Sequence, residues 1–427
     1  MESVPDKACV SASGPVPAVA WSPLELRRLT ALGLSGFLLM FCYAATDIVL
    51  PLWATCELGL NASDWAHLRS LRFAGVLVGV ILLGAVSDRL GQRRSTVLAL
   101  LISGVATSLF WFNSEVILWV LMPVFGALLS TALVNLNTLT QMVTDTRQGV
   151  ANTVYRSVGA AAGIVAPVTA TFLAAVWGGY PAVFLLLGAL LGMSAWALLA
   201  YPIDEPLVPL EHPLRELGRM WQGYAGALRE KPLMRFIHLS QLWYCSLACV
   251  SAFAAIRLTR ELGMGDWAFG VLCTACGLVT FLLIVGVGWH LDRISLRKIH
   301  LVAGVIAAAG TLLMGASNNL VLTIAGFLIA TASYALLVAP TSMWASRLAG
   351  GTTLAAAFAV QKVLAALYLS LAMLLFGLLE SWLGIRMVLL ICGGFGMLLS
   401  FGFLLLPEPA VFVRSEGRFH VPVRAEE

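Results

Sequence analysis

Charge is what this sequence lacks. Of its 427 residues only 11% are Asp, Glu, Lys or Arg, while 60% are hydrophobic and the mean hydropathy is +0.91. A soluble domain carries about a quarter charged residues. So few charges cannot give a globular core a wettable surface, which excludes a secreted domain and a soluble enzyme with one anchor. Lipid must be the solvent for most of the chain. The net charge of +4 is too small to call for a nucleic-acid partner. No metal cluster, nucleophile beside a base or phosphate-binding loop stands out either, so the reading is of a protein that is not an enzyme, with no metal and no cofactor.

Cysteine adds little. Cys42, Cys245, Cys249, Cys273, Cys276 and Cys392 fall in apolar runs, where a thiol behaves as a small hydrophobe. The Cys273-Thr274-Ala275-Cys276 spacing resembles a redox or metal site, but no histidine is near it and packing is the expectation. Asn61-Ala62-Ser63 has the form of a glycosylation acceptor in a loop too short to serve as one. The stretch before residue 27 holds four prolines and no basic segment followed by a long apolar run, so it reads as a tail and not a leader.

What is present is a series of apolar runs: Leu29–Ala54, Trp65–Val86, Thr96–Phe112, Val116–Val143, Val150–Val176, Pro181–Tyr201, Leu233–Leu258, Ala268–Trp289, Ile299–Ala316, Leu320–Ala345, Leu354–Leu379 and Ile385–Leu406. Each is continuously apolar and long enough to cross a bilayer as a helix, whereas barrel strands alternate over about 10 residues. The expected fold is an all-α membrane protein of 12 transmembrane helices. With the N-terminus cytoplasmic, 21 of the Lys and Arg residues lie on that side and 5 on the other, Arg69, Arg72, Arg257, Arg260 and Arg386. By the positive-inside rule both termini then face the cytoplasm. The expected division is a cytoplasmic tail at 1–26, a six-helix bundle at 27–201, a cytoplasmic linker at 202–232, a second bundle at 233–406 and a tail at 407–427. In the linker, Leu214, Leu217, Trp221, Tyr224 and Leu228 recur at helical spacing. They predict an amphipathic helix lying on the leaflet or packed on the bundle.

The two halves repeat each other. Gly84, Asp88, Arg89, Arg93 and Arg94 match Gly288, Asp292, Arg293, Arg297 and Lys298 at an offset of 204, and Glu57-Leu58-Gly59 matches Glu261-Leu262-Gly263 at the same offset. Asp64-Trp65-Ala66 matches Asp266-Trp267-Ala268 at 202. Two parallel six-helix repeats follow, related by an axis along the membrane normal.

The loop Gly84-Ala-Val-Ser-Asp88-Arg89-Leu-Gly91-Gln-Arg93-Arg94 resembles the signature loop of the major facilitator superfamily, and the 288–298 loop resembles a degenerate copy with Ser295 where glycine is usual. The resemblance implies a transporter, with this cluster latching the cytoplasmic gate in the outward-open state through Asp88, Arg89 and Arg93. The alternative is that the arginines only set topology. It also implies that helices 1, 4, 7 and 10 line a cavity and that helices 3, 6, 9 and 12 lie outside it. Consistent with that, the only charge on the outer four is Arg386.

Ionisable groups inside a membrane are costly and mark function by default. Asp47 lies roughly 9 Å beyond the middle of helix 1, and Arg69 and Arg72 roughly 6 to 10 Å beyond that of helix 2, on the same side. Asp47 is expected to pair with Arg69 or Arg72, as a proton-coupling switch or as a permanent bridge. Helices 5 and 11 each carry one cation at matched positions, Arg156 and Lys362, aligned at an offset of 206 with Tyr155 against Gln361. Facing a cavity they would suit an anionic or zwitterionic small molecule; otherwise they snorkel to the interface. Asn135, Asn137, Gln241, Trp243, Tyr244 and Tyr334 are further cavity candidates with Tyr155, though each could serve as an interhelical contact.

The expected function is secondary active transport of a small organic solute by alternating access, coupled to protons, in the cell membrane, by a monomer. Helix 4 lacks the early arginine, and helix 5 the Gly-Pro and Gly-Gly pairs, of proton-driven drug exporters that the family contains. Efflux as an antiporter is nevertheless preferred. The alternatives are uptake or facilitated passage of an organic anion and, from another class, a nontransporting sensor or scaffold, for which the tails and linker offer no sizeable output domain.

Overall fold

A bilayer offers a bare backbone no hydrogen-bond partner, so a chain dissolved in lipid must close its N–H and C=O groups within helices or a closed barrel. In the computed structural model, which describes residues 22–83, 87, 90–141, 148–200, 225–226, 228–288 and 295–407, every regular element is helical. In chain order these are α1 Pro23–Cys56, α2 Ala62–Val78, α3 Gln92–Leu109, α4 Glu115–Gln141, α5 Gln148–Trp177, α6 Pro181–Ala200, α7 Lys231–Ile256, α8 Asp266–Gly288, α9 Leu296–Ala316, α10 Leu320–Leu336 and α11 Val338–Gly402. Short π-helical turns, Gly79–Leu83 and Arg257–Glu261, extend α2 and α7. Among the described residues ten helical stretches are long and apolar enough to cross a bilayer, one of them the 48-residue Phe358–Leu405, and Leu320–Tyr334 is a shorter apolar helix. The chain is a multi-pass membrane protein. The linker helix expected over Leu214–Leu228 falls outside the described residues apart from 225–226 and Leu228, as do Gly84, Asp88, Arg89, Asp292 and Arg293 of the repeated loops.

The C-terminal third departs from the expected breaks. Helical bonding stops at Leu336 and then runs unbroken through the 346–353 connection. Pro340 explains the first point, since its ring would clash with the carbonyl four residues back. The helix restarts at Val338 with Pro340 in its first turn, where no N–H is needed. As one rod the 65 residues of α11 would measure about 100 Å, over three times the roughly 30 Å hydrocarbon core. Gly384, at φ 75°, turns the chain within it. Arg386 beyond that turn donates to the Gly315 carbonyl at the end of α9, and Arg297 at the start of α9 donates to the Leu406 carbonyl at 2.6 Å. The last stretch of α11 therefore runs antiparallel to α9.

Helix starts are chemically specified. Ser22 with Glu25 and Asn61 with Asp64 form capping boxes on α1 and α2. The two signature loops end differently. Gly91 enters α3 at φ 84°, a conformation that favours glycine. Ser295 enters α9 at φ −57° and accepts a hydrogen bond from the Lys298 N–H, so serine replaces glycine without strain.

α2 and α4 cross with their backbones touching. A Cβ on Gly75 would collide with the Pro123 carbonyl, and one on Gly126 with the Arg72 carbonyl. Small residues allow such crossings in membranes, where close packing substitutes for the hydrophobic effect. The crossing also brings Phe125 of α4 against Arg72. Helices α1–α6 and α7–α11 are joined by Ser63 donating to the Gly377 carbonyl (2.8 Å), Ser70 to that of Ser370 (2.8 Å), Trp65 to that of Ala252 (3.1 Å) and Thr274 to that of Ile164 (2.8 Å). These bonds lie from mid-helix toward the end where α1 finishes and α2 begins.

Gly126→Ala is expected to force α2 and α4 apart at a cost of about 1–3 kcal/mol. The detergent-solubilised protein should melt several degrees lower. Gly163→Ala, whose methyl meets open space, serves as the control and should leave melting unchanged. Equal melting of both variants would remove the crossing as a packing constraint.

Candidate functional site

α1 presents Tyr43 and Asp47 one turn apart on one face, and α2 presents Arg69 and Arg72 toward them. Arg72 pairs with Asp47, the arginine side chain being 6% and the aspartate 31% exposed. The Arg72 guanidinium also lies 5.0 Å from the Tyr43 ring centroid and 5.3 Å from that of Phe125. It is thus held by one carboxylate and two aromatic faces. Arg69 takes a different partner: it donates to the Ser251 carbonyl on α7 at 2.6 Å, across the junction of the two helix sets. Trp65 and Phe73 flank it at 6.0 and 5.9 Å. Among the described residues Asp47 is the one carboxylate in electrostatic range of both buried arginines, and neither Arg69 Nε nor Arg72 Nη2 has a hydrogen-bond partner.

Trp243, Tyr244 and Tyr334 form one aromatic cluster. Tyr334 stacks on Trp243 with centroids 6.4 Å apart and an interplanar angle of 9°, and meets Tyr244 edge-on at 5.2 Å. Two of the three are engaged by the bundle itself. Trp243 donates to Ser400 at 2.9 Å, and the Tyr244 hydroxyl bonds Thr341 at 3.0 Å, which in turn bonds His300 at 3.1 Å. Tyr334 is the open member, 38% exposed. Gln241, one turn from Tyr244, is buried.

The remaining candidates divide. Arg156 and Lys362 come within electrostatic range of each other, and both side chains are exposed. Tyr155 is buried with its ring against Gly36 and its hydroxyl without a hydrogen-bond partner. Asn135 is 2% exposed and donates to Ser87 at 3.0 Å, itself bonded to Ser95, so its amide braces helices. The Asn137 amide turns back onto the Leu133 carbonyl. Of the signature residues, Arg93 donates to the Leu198 carbonyl at 3.0 Å, tying the start of α3 to the end of α6, and Arg94 is exposed. Arg297 makes the equivalent tie between α9 and the end of α11. Lys298 supplies the backbone N–H of the α9 cap.

Several groups in these contacts were not singled out by sequence. Tyr43 could have been found, being four residues before Asp47 and hence on its face. The Ser251 carbonyl could not, because any residue supplies one. A junction between the loop before α6 and the start of α8 is also new: the Tyr180 hydroxyl donates to Asp266, which Arg260 approaches to 3.4 Å, while the Tyr180 N–H donates to Glu57 at 2.9 Å. Burial, and then the bond to the Asp266 carboxylate, push the Tyr180 phenol well above its ordinary value. It stays a neutral donor across the physiological range.

Asp47→Ala would leave Arg72 buried without its carboxylate, a loss of about 3–5 kcal/mol. Asp47→Ala combined with Arg72→Met should recover much of it, giving a large coupling energy in a thermal-unfolding double-mutant cycle. Additive losses would show that the pair is not a unit.

A family profile of the Major Facilitator Superfamily matches residues 32–258, just over half the chain. No curated protein matches it in sequence. Among solved structures, a mutant of the nucleoside transporter NupG superposes with a TM-score of 0.76 at 14% identity, covering 90% of this chain and 99% of that one. A POT family transporter in complex with 5-aminolevulinic acid reaches 0.72 at 14% identity, covering 90% and 96%. The peptide transporter POT in complex with sulfate reaches 0.72 at 13%, covering 89% and 94%. At such identities the likeness is one of fold.

Proposed function

Because the chain belongs to the major facilitator superfamily, we propose that it is a secondary active transporter that moves a small organic solute across the cell membrane by alternating access, as a monomer coupled to protons. The proposed architecture is 12 spans in two parallel six-helix repeats, 27–201 and 233–406, joined by the 202–232 linker with both termini cytoplasmic. The turn at Gly384 supports the count, because it divides the 48-residue stretch into two lengths that can each span. The matched ties of Arg93 and Arg297 support the repeat. In this orientation the bonds joining the helix sets close the outer side, the arrangement of an inward-open transporter.

The observation that carries the coupling is the Asp47–Arg72 pair beside the Arg69 bond to Ser251. Of these charged groups only the carboxylate can accept a proton, since a guanidinium already carries its own. Protonating Asp47 would remove the charge that holds Arg72 and free that guanidinium to shift among Tyr43, Phe125 and Asp47. Arg69, three residues away on α2, would transmit the shift to α7. Proton occupancy and closure between the helix sets would thereby be linked. Efflux is the direction we propose for the cycle. Uptake or facilitated passage of an organic anion is a second reading, favoured by the excess of arginine over carboxylate at this centre and by Arg156 and Lys362 beyond it.

Proteoliposomes with an imposed pH gradient test the proposal. The wild-type protein should accelerate flux of at least one member of a broad panel of organic solutes, in a gradient-dependent way. Asp47→Asn should abolish the gradient dependence while leaving exchange at symmetric pH. Unchanged gradient dependence would move proton coupling away from Asp47, and absence of flux for the whole panel would favour a nontransporting role.

A further inference from the structure

Partnering separates the polar groups near the middle of the bundle. Asp47, Arg69, Arg72, Trp243 and Tyr244 are engaged by protein. Tyr43 on α1, Tyr334 on α10 and Gln241 on α7 make no side-chain hydrogen bond to another described residue. Tyr43 belongs to one helix set and Tyr334 to the other, and they come within electrostatic range of each other. Tyr334 has one face covered by Trp243 and an edge met by Tyr244. The rest of the Tyr334 ring is exposed. A polar group without a partner costs free energy in a low-dielectric interior unless something else satisfies it.

The charge of this space decides what that something is. Asp47, Arg69 and Arg72 sum to +1, so a cationic ligand would meet net repulsion there. An anion would be drawn to this centre and received by an uncharged donor, the Tyr43 hydroxyl. The open ring of Tyr334 offers a planar surface to the rest of the ligand. We infer that the central site is built for a planar aromatic carboxylate, its ring against Tyr334 and its carboxylate toward Tyr43. This rests on the transporter reading for its purpose, but binding can be measured without transport.

The test is saturation binding of radiolabelled benzoate to the full-length protein in nanodiscs, with competition by cyclohexanecarboxylate, benzylamine and benzyl alcohol. Benzoate should bind saturably. Cyclohexanecarboxylate, equal in charge but without the flat ring, should compete roughly 2- to 10-fold less well, as expected for a lost aromatic pair. Benzylamine and benzyl alcohol should compete weakly or not at all. Tyr43→Phe should weaken benzoate by about tenfold or more, the scale of a lost hydrogen bond to a charged group. Tyr334→Ala should erase the preference for the aromatic acid, while Tyr334→Phe retains it and shows that the fold tolerates change there. Benzylamine competing as well as benzoate, equal competition by the two acids, or no saturable benzoate binding would each overturn the assignment. If benzoate fails to bind while other solutes are carried in proteoliposomes, the substrate class falls and the transporter reading stands. Saturable benzoate binding without flux of any solute keeps the site and removes the transporter.

Discussion

A carbonyl or a charge sunk in hydrocarbon has to be satisfied by the protein itself, and in this chain arginine does it at several helix ends. Arg93 reaches a last-turn carbonyl of α6 and Arg297 the Leu406 carbonyl just beyond α11, Arg386 those at the end of α9, and Arg257 the Ser317 carbonyl, while Arg69 reaches Ser251. These are mostly helix ends, where the final carbonyls lack intrahelical partners and carry the negative end of the dipole. A guanidinium suits the task because it offers five donors in a fixed fork and is more weakly hydrated than an ammonium. The scarce charges are thus distributed by what the backbone cannot satisfy alone. Arg69 is the exception that matters, since Ser251 lies inside a helix and belongs to the other helix set.

This explains which parts of the molecule could be read in advance. Apolar runs reveal the helices because lipid imposes one requirement on every spanning residue. The start of α3 was legible through Gly91, and the equivalent start of α9 through Ser295, although the serine works by a different mechanism, capping in place of a left-handed turn. The end of α10 was less legible. Pro340 stands inside the tenth apolar run, yet the helix stops before it and restarts with the proline inside its first turn. The continuity of α11 through 346–353 had no sequence signal, because nothing in a short connection forbids helical bonding. Within the site, the depth of Asp47, Arg69 and Arg72 could be estimated from helix rise alone. Which arginine takes the carboxylate could not, because the choice depends on rotation about the helix axes and on the Gly75–Gly126 crossing that sets the distance between α2 and α4.

The repeat clarifies which contacts are scaffold. Trp53 donates to Asn113 in the first half, while at the position 204 residues on Arg257 donates to Ser317 and Asn318. The chemistry differs but the task is the same, holding the end of a first helix to the link between the third and fourth. Such matched ties belong to the architecture. Contacts with no counterpart deserve a functional reading, and the Asp47–Arg72 pair is one: 204 residues on from Asp47 stands Ser251, and from Arg72 stands Cys276.

That correspondence adds a further step. Ser251, the repeat mate of Asp47, is the residue whose carbonyl receives Arg69. The first helix of each half therefore presents its equivalent position to α2, once with a carboxylate side chain and once with a backbone carbonyl. One partner can lose its charge by taking a proton and the other cannot. On the proposed function, this inequality is what a two-state device needs, because a bundle held by identical partners would loosen or tighten on both sides together. Held by one titratable and one fixed acceptor, α2 can change its attachment to α1 while keeping its attachment to α7. The preference of the pair of arginines for one helix set over the other would then follow the proton, and the aromatic surface between Tyr43 and Tyr334 would open or close with it.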